Sequence, residues 1–187
     1  MTHLGTVRLE TERLILRRFV KSDAKDVFNN WSNDPEVTKF LSWQPHSSLS
    51  QARGLVKTRL RGYARKDYYS WAMELKATGQ VIGNISVGGW NNLVRSVGIG
   101  YVMGRAWWNQ GYMTEALRAV IRFFFEECGM NRVEATHDVR NPGSGRVMQK
   151  AGMIYEGTLR QAGWSNQGVD DRACYAILAS DYNRHSL

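Results

Sequence analysis

The segment that most constrains this chain lies between Val97 and Phe124. Val97-Gly98-Ile99-Gly100-Tyr101-Val102-Met103 alternates apolar residues with glycine and reads as a strand, while Met113, Ala116, Leu117, Val120, Ile121 and Phe124 recur at helical spacing. Between them sits Trp107-Trp108-Asn109-Gln110-Gly111-Tyr112. A strand that turns through glycine into a helix leaves the first backbone N–H groups of the helix unpaired. It also places the positive end of the helix dipole at the turn, which suits a phosphate or pyrophosphate. Many such junctions merely turn the chain. This one is no P-loop, because no Gly-Lys-Ser/Thr follows, and a lone Gly111 is no dinucleotide fingerprint.

The flanking chain reads as one α/β domain over residues 1–187, with no linker, repeat or low-complexity tract. Leu9 to Phe19 reads as a first strand, and Ser22 or Asp23 caps a helix to Trp31. A helical turn through Val37, Phe40 and Leu41 follows, then a helix from Ser48 to about Arg65 with Leu55, Val56, Leu60 and Tyr63 inward and Arg53, Lys57, Arg59 and Arg61 outward. Strands are expected at Tyr69–Leu75, Val81–Val87 and Arg95–Val102, with Gly88 to Asn92 as loop. Beyond the central helix, Arg132–Thr136 is a strand, Asn141-Pro142-Gly143-Ser144 opens a helix that Gly152 ends, and Met153–Leu159 and Asp171–Leu178 are the last strands. This second strand-turn-helix junction could hold the far end of one extended phosphorylated ligand.

Composition narrows the function classes. Hydrophobic residues make up 43% of 187 positions, a globular composition, and 25 basic against 17 acidic residues give a net charge of +8. That balance favours anionic partners, or serves solubility alone. Cys128 and Cys174 lack metal-ligand or disulfide spacing, and Cys128 closes the apolar face of its helix, so no metal site is expected. The N-terminus shows no basic head before an apolar run, and no stretch reaches the length of a membrane span, so a soluble, cytoplasmic protein is expected. Of the seven tryptophans most should be core or lid residues, with Trp43 and Trp90 as candidates for the wall of an acceptor pocket.

With both junctions in view, the chain resembles the GNAT N-acetyltransferase superfamily, in its RimJ/RimL-type branch of ribosomal-protein N-terminal acetyltransferases. The likeness runs from Thr11-Glu12-Arg13-Leu14-Ile15-Leu16-Arg17 through Gly111-Tyr112-Met113-Thr114-Glu115-Ala116 and Asn141-Pro142-Gly143-Ser144 to Tyr175-Ala176-Ile177-Leu178. It implies a single domain with a central mixed, mostly antiparallel and splayed sheet flanked by helices. It also implies acetyl-CoA as cofactor and a primary amine as acceptor. By the resemblance, Trp108, Asn109, Gln110, Gly111, Tyr112, Met113 and Thr114 wrap the pyrophosphate. Tyr101, Val102 and Met103 on the splayed strand pair with the pantetheine arm, and Asn141 and Ser144 face the arm and the sulfur. A backbone N–H near Val102 stabilises the oxyanion.

Departures from the family pattern shape the rest. The superfamily's tyrosine acid, seven residues after the Asn, is replaced by Met148, which leaves Ser144 as candidate acid. A glutamate that branch members use falls at Gly163, so the base is open among Glu74, His137 and Asp138. The acceptor is either a protein N-terminus, a ribosomal protein included, or a small amine such as a polyamine, aminoglycoside or amino acid. A non-catalytic acyl-CoA sensor and a basic RNA- or ribosome-binding module are the rival classes. The RNA class ranks low, because no aromatic RNA-binding strand or Gly-x-x-Gly clamp is present. Nucleic acid is therefore not expected as substrate, and a homodimer is a family trait.

Overall fold

The computed structural model describes residues 2–185. Its strands are β1 (Leu9–Glu10), β2 (Leu14–Arg17), β3 (Ser70–Leu75), β4 (Val81–Asn91), β5 (Ser96–Met103), β6 (Arg132–Asp138), β7 (Ile154–Ser165) and β8 (Gly168–Leu178). They form one eight-stranded sheet in the order β1-β2-β3-β4-β5-β6-β8-β7. Every neighbouring pair is antiparallel except β5 and β6. The helices are α1 (Ala24–Val27), α2 (Pro35–Thr38), α3 (Leu49–Gly62), α4 (Tyr112–Glu126), α5 (Pro142–Lys150) and α6 (Ala179–His185). A 3-10 turn, Lys21–Asp23, leads into α1 and a π-type turn, Phe28–Ser32, leaves it.

The sheet is sandwiched between two apolar clusters. On one face α4 and α5 bury Leu117, Val120, Phe123, Phe124 and Met148 against Tyr69, Trp71, Ile85, Val97 and Val133. Trp71 and Phe123 meet edge-on at 5.8 Å, and the indole N–H of Trp71 donates to Val7 O (2.6 Å), so its polar end is satisfied inside the core. On the other face α1 and α3 pack Val27, Trp31, Ala52 and Val56 against Ala72 and Val81.

One pairing governs the layout. β5 and β6 run together from Ser96↔Arg132 to Ile99↔Ala135 and no further. β5 then stays with β4 as far as Gly83↔Met103, and β6 stays with β8 as far as Asp138↔Arg172. The sheet therefore opens between Gly100–Met103 and Thr136–Asp138. Close approach of β4 depends on Gly83, where a Cβ would lie 2.5 Å from Val102 O.

The opening is framed by two long-range ties. At the β1–β2 turn, Thr11 Oγ1 and the Arg13 N–H donate to Glu115 Oε1 (2.6 and 2.8 Å), and Arg13 Nε donates to Glu115 Oε2 (2.7 Å). At the tip of the β7–β8 hairpin, Asn166 Nδ2 donates to Thr38 O and Trp43 O (2.9 and 2.8 Å), while its backbone N–H donates to Leu41 O (2.9 Å). Asn166 thus straps the hairpin to the loop after α2.

Several sequence expectations are corrected. The first strand is two, because Thr11 folds back: its Oγ1 accepts from Leu14 N (3.0 Å). Gly88 to Asn91 is not loop; β4 crosses a register shift between Val87 and Gly89 and pairs again at Trp90↔Val97. Arg59 is not on the outer face. It follows Val56 by one helical turn, its Nε is buried, and it donates to Tyr68 Oη (3.2 Å). Residues 160–170, read as a gap between strands, complete the β7–β8 hairpin, and α6 had no sequence counterpart. Cys128 is buried in the core as expected. Trp90 meets the His3 ring at a tilt, centroids 4.8 Å apart, and is not among the residues lining the cleft described below.

Two outcomes follow from the ties. Asn166→Ala should destabilise the fold by roughly 1–3 kcal/mol and speed hydrogen exchange selectively in residues 38–44; unchanged exchange there would show that the strap carries no load. Burial raises the Glu115 carboxyl, but the hydrogen bonds from Thr11 and Arg13 prevail and hold it below its ordinary value. Its stabilising contribution is complete above the carboxylate value of the unfolded chain and is lost as pH falls through the lower folded one. Thermal melts should show Glu115→Gln less stable at neutral pH, with the gap to the parent narrowing on acidification.

Candidate active site

The opened edge of β5 supplies the first element of the site. Gly104 N–H donates to Ile82 O (2.9 Å), which fixes the alternation of hydrogen bonds along the β4–β5 ladder. Gly100 and Val102 turn their N–H and C=O groups toward β4, and Tyr101 and Met103 turn theirs into the gap. The Met103 carbonyl takes the indole N–H of Trp108 (2.8 Å), so the Tyr101 amide and the Met103 N–H remain along the gap. The Val102 N–H, which the resemblance offered as an oxyanion donor, faces β4 and is committed to the sheet.

The second element is the turn into α4. A 3-10 turn, Arg105–Trp107, leads to Asn109 at φ 61° and Gly111 at φ 83°. Gly111 occupies the N-cap of α4 and no side chain caps the helix, so its first N–H groups are unsatisfied within the helix. Gln110 O is held by Arg13 Nη1 (3.0 Å), and the Arg13 guanidinium lies 4.2 Å above the Tyr112 ring. The Glu115 clamp therefore also fixes the shape of this turn.

The third element is the start of α5. Asn141 caps it, its side-chain oxygen accepting from Ser144 N, and Pro142 occupies the first helical position. Tyr101 Oη lies 2.9 Å from Ser144 Oγ and 3.0 Å from Ser144 O, with one proton to give to either. Burial pushes the Tyr101 phenol well above its ordinary value, and the hydrogen bond with Ser144 opposes that only in part.

These elements enclose a cleft of about 510 Å³. Of the residues the sequence singled out, Tyr101, Val102, Met103, Trp108, Asn109, Gly111, Met113, Thr114, Asn141 and Ser144 line it together. Gln110 and Tyr112 do not; they serve the turn, Gln110 through Ala106 O (2.8 Å) and Tyr112 beneath Arg13. Glu36, Lys39, Phe40 and Leu41, which carry no motif, close the cleft from α2, and Arg146 and Lys150 add positive charge from α5. The α5 residues had a readable signal: Gly143, Val147 and Lys150 share a helical face with Ser144.

None of the three base candidates is presented to the cleft. Glu74 is bound by Arg17 Nε (2.5 Å), on the far side of β4 from β5. Asp138 takes a bidentate grip from Arg140, whose hydrogen bonds, against the effect of burial, hold it below its ordinary value. His137 lies under the α5 N-terminus, where a Cβ on Gly145 would come within 2.6 Å of Nε2, and its Nδ1 sits 2.7 Å from Asp138 O. At Gly163 a Cβ would overlap the Arg172 guanidinium, which pairs with Asp170 (2.6 Å), so a side chain there would have to displace that pair. Among the described residues no group of His, Cys, Asp and Glu could hold a metal ion, and no helix is long and apolar enough to cross a membrane.

Comparison with known proteins accords with this geometry. The family model of the acetyltransferase (GNAT) domain matches residues 13–154. An uncharacterized N-acetyltransferase of Bacillus subtilis strain 168, YoaA, is 32% identical over 170 residues, covering 91% of this chain and 96% of its own. The ribosomal-protein-serine acetyltransferase of Escherichia coli K12 is 31% identical over 126 residues, 67% of each chain. A GNAT-family acetyltransferase structure from Bacillus anthracis superimposes with a TM-score of 0.82 at 26% identity, covering 93% of this chain and 99% of that one. With its open mixed sheet and a family match over most of its length, this chain belongs to the GNAT acetyltransferase family.

Proposed function

We propose that the protein transfers an acetyl group from acetyl-CoA to a primary amine held against the same gap. The observation that carries this reading is the coincidence, in one cleft, of an unpaired β5 edge, an uncapped helix N-terminus and a serine hydroxyl. The donors fit the cofactor's chemistry: successive N–H groups at the start of α4 suit a pyrophosphate, and the Tyr101 and Met103 backbone groups suit the amides of a pantetheine arm. When bound, acetyl-CoA supplies an acyl group activated as a thioester.

The chain's own residues then divide the work. The Tyr101 N–H, the open donor on the residue whose phenol meets Ser144, is placed to receive charge on the acyl oxygen. Ser144 offers its hydroxyl to the sulfur that departs. Lys39, Arg146 and Lys150 draw the anionic cofactor in, and Glu36, the carboxylate among the lining residues, favours a cationic amine. With Glu74 and Asp138 paired to arginines and His137 buried beneath α5 outside the cleft lining, the amine sheds its proton through water. Holding both reactants in one cleft could supply roughly 7–11 kcal/mol of the barrier reduction.

For the acceptor, the N-terminal amine of a protein is the first reading, supported by the likeness to a ribosomal-protein-serine acetyltransferase. A small amine is the second, favoured by the Asn166 strap, which ties the hairpin tip to the segment that walls the cleft at residues 36–41. Thiol release from acetyl-CoA should be assayed against peptides beginning with Ser, Ala or Thr, and against polyamines, aminoglycosides and free amino acids. Turnover on peptides alone supports the first reading and turnover on a small amine the second. Binding without turnover on any acceptor points to a sensor, and absence of cofactor binding overturns the proposal.

Ser144→Ala should lower kcat about 100-fold with little change in acetyl-CoA affinity, measured by calorimetry alongside turnover. Gly111→Val places a β-branched side chain at φ 83° and should weaken acetyl-CoA binding about tenfold or more, with a loss of stability of roughly 1–2 kcal/mol.

A further inference from the structure

We propose that Tyr101 is the positioning residue for Ser144: its phenol donates to Ser144 Oγ and so aims the serine proton at the sulfur that coenzyme A carries away. The inference rests on the acetyl-transfer reading and deepens it. The family's tyrosine position on α5 holds Met148, buried in the core, so a phenol reaches this site from the sheet instead.

The argument is one of proton counting. Tyr101 Oη stands within hydrogen-bond range of two oxygens, Ser144 Oγ at 2.9 Å and Ser144 O at 3.0 Å. A phenol and a serine hydroxyl carry one proton each, and the carbonyl carries none. If Tyr101 donates to the carbonyl, Ser144 Oγ–H satisfies the phenol oxygen and points away from the cleft. If Tyr101 donates to Oγ, the Ser144 proton is released into the cleft, and its oxygen is polarised by the bond it accepts. Negative charge developing on the sulfur as the C–S bond breaks selects the second arrangement. The α5 dipole adds to it, because Ser144 lies in the first turn of that helix.

The fold enforces this pairing. Tyr101 sits on the stretch of β5 that has lost its β6 neighbour, so its ring spans the gap to α5. Asn141 holds the Ser144 backbone from the other side. Burial keeps the phenol protonated across the working range, so it remains a donor throughout. In the reaction the C–S bond breaks with its electron pair on sulfur, and the C–N bond forms from the amine lone pair. Net, one proton passes from nitrogen to sulfur; any proton Ser144 gives is restored from that source, and Tyr101 retains its own.

The test is the ionisation of the coenzyme A thiol when bound, followed by thiolate absorbance against pH, with desulfo-coenzyme A affinity measured by calorimetry. Tyr101→Phe removes one oxygen and keeps the ring. It should raise the bound thiol's pKa by roughly one unit, leave desulfo-coenzyme A affinity unchanged and lower kcat. Ser144→Ala should raise that pKa at least as far, and the double variant no further than Ser144→Ala. A shift in Ser144→Ala with none in Tyr101→Phe would overturn the role of Tyr101 alone. Equal loss of coenzyme A and desulfo-coenzyme A binding in Tyr101→Phe would also overturn it, by showing a merely structural contact. No shift in either variant would remove the Ser144 role on which it rests, and absence of coenzyme A binding would remove the transferase reading itself.

Discussion

Everything in the site follows from two strands that part. A sheet interior is normally where backbone polar groups are most completely paired, and unpaired ones cost about 1–3 kcal/mol each. Here β5 gives up its β6 partner after Ile99, and the structure compensates piecemeal. The Trp108 indole caps the Met103 carbonyl, the Tyr101 ring bridges to α5, and the remaining donors face a cleft. A defect in the sheet thus becomes a set of oriented donors, and the two helix starts beside it supply positive dipole ends.

Preorganisation of those donors comes from outside the cleft. Arg13 never lines the cleft, yet it holds the Gln110 carbonyl, covers the Tyr112 ring and locks to Glu115. The β1–β2 turn and Glu115 are more than a hundred residues apart in sequence, so the turn into α4 is shaped by tertiary contact and not by its own local sequence alone. Fixed donors of this kind require little reorganisation when charge arrives.

The sequence was legible where periodicity and punctuation coincide. The β5–α4 junction, the Asn141–Ser144 start of α5 and the apolar stripe of α4 are strong local patterns, and ten of the cofactor-side residues they named do line the cleft. Illegible features depend on long-range packing. Residues 160–170 read as a gap because the far part of β7 is an exposed edge without apolar alternation, bent at Gln161 and Gly163. The π-type turn after α1 leaves no compositional mark. Glu74 had the right chemistry, but only the pairing of β2 with β3 shows that Arg17 holds it. The residues of α2 and the segment after it that close the cleft carry no motif, and that segment is tied by Asn166, which lies 128 positions after Thr38.

That separation has a consequence for how the molecule comes into being. β8 inserts between β6 and β7, so the hairpin whose tip straps the loop after α2 is the last part of the sheet to leave the ribosome. Strands β1 to β5 and the turn into α4 can already be in place while the loop after α2 has nothing to rest on. Strands β1 to β5 are thus made early in synthesis, and the cleft wall at residues 36–41 waits for the hairpin, whose Asn166 closes a span of 128 residues onto Thr38. An incomplete chain of this fold would carry the uncapped turn into α4 without that enclosure.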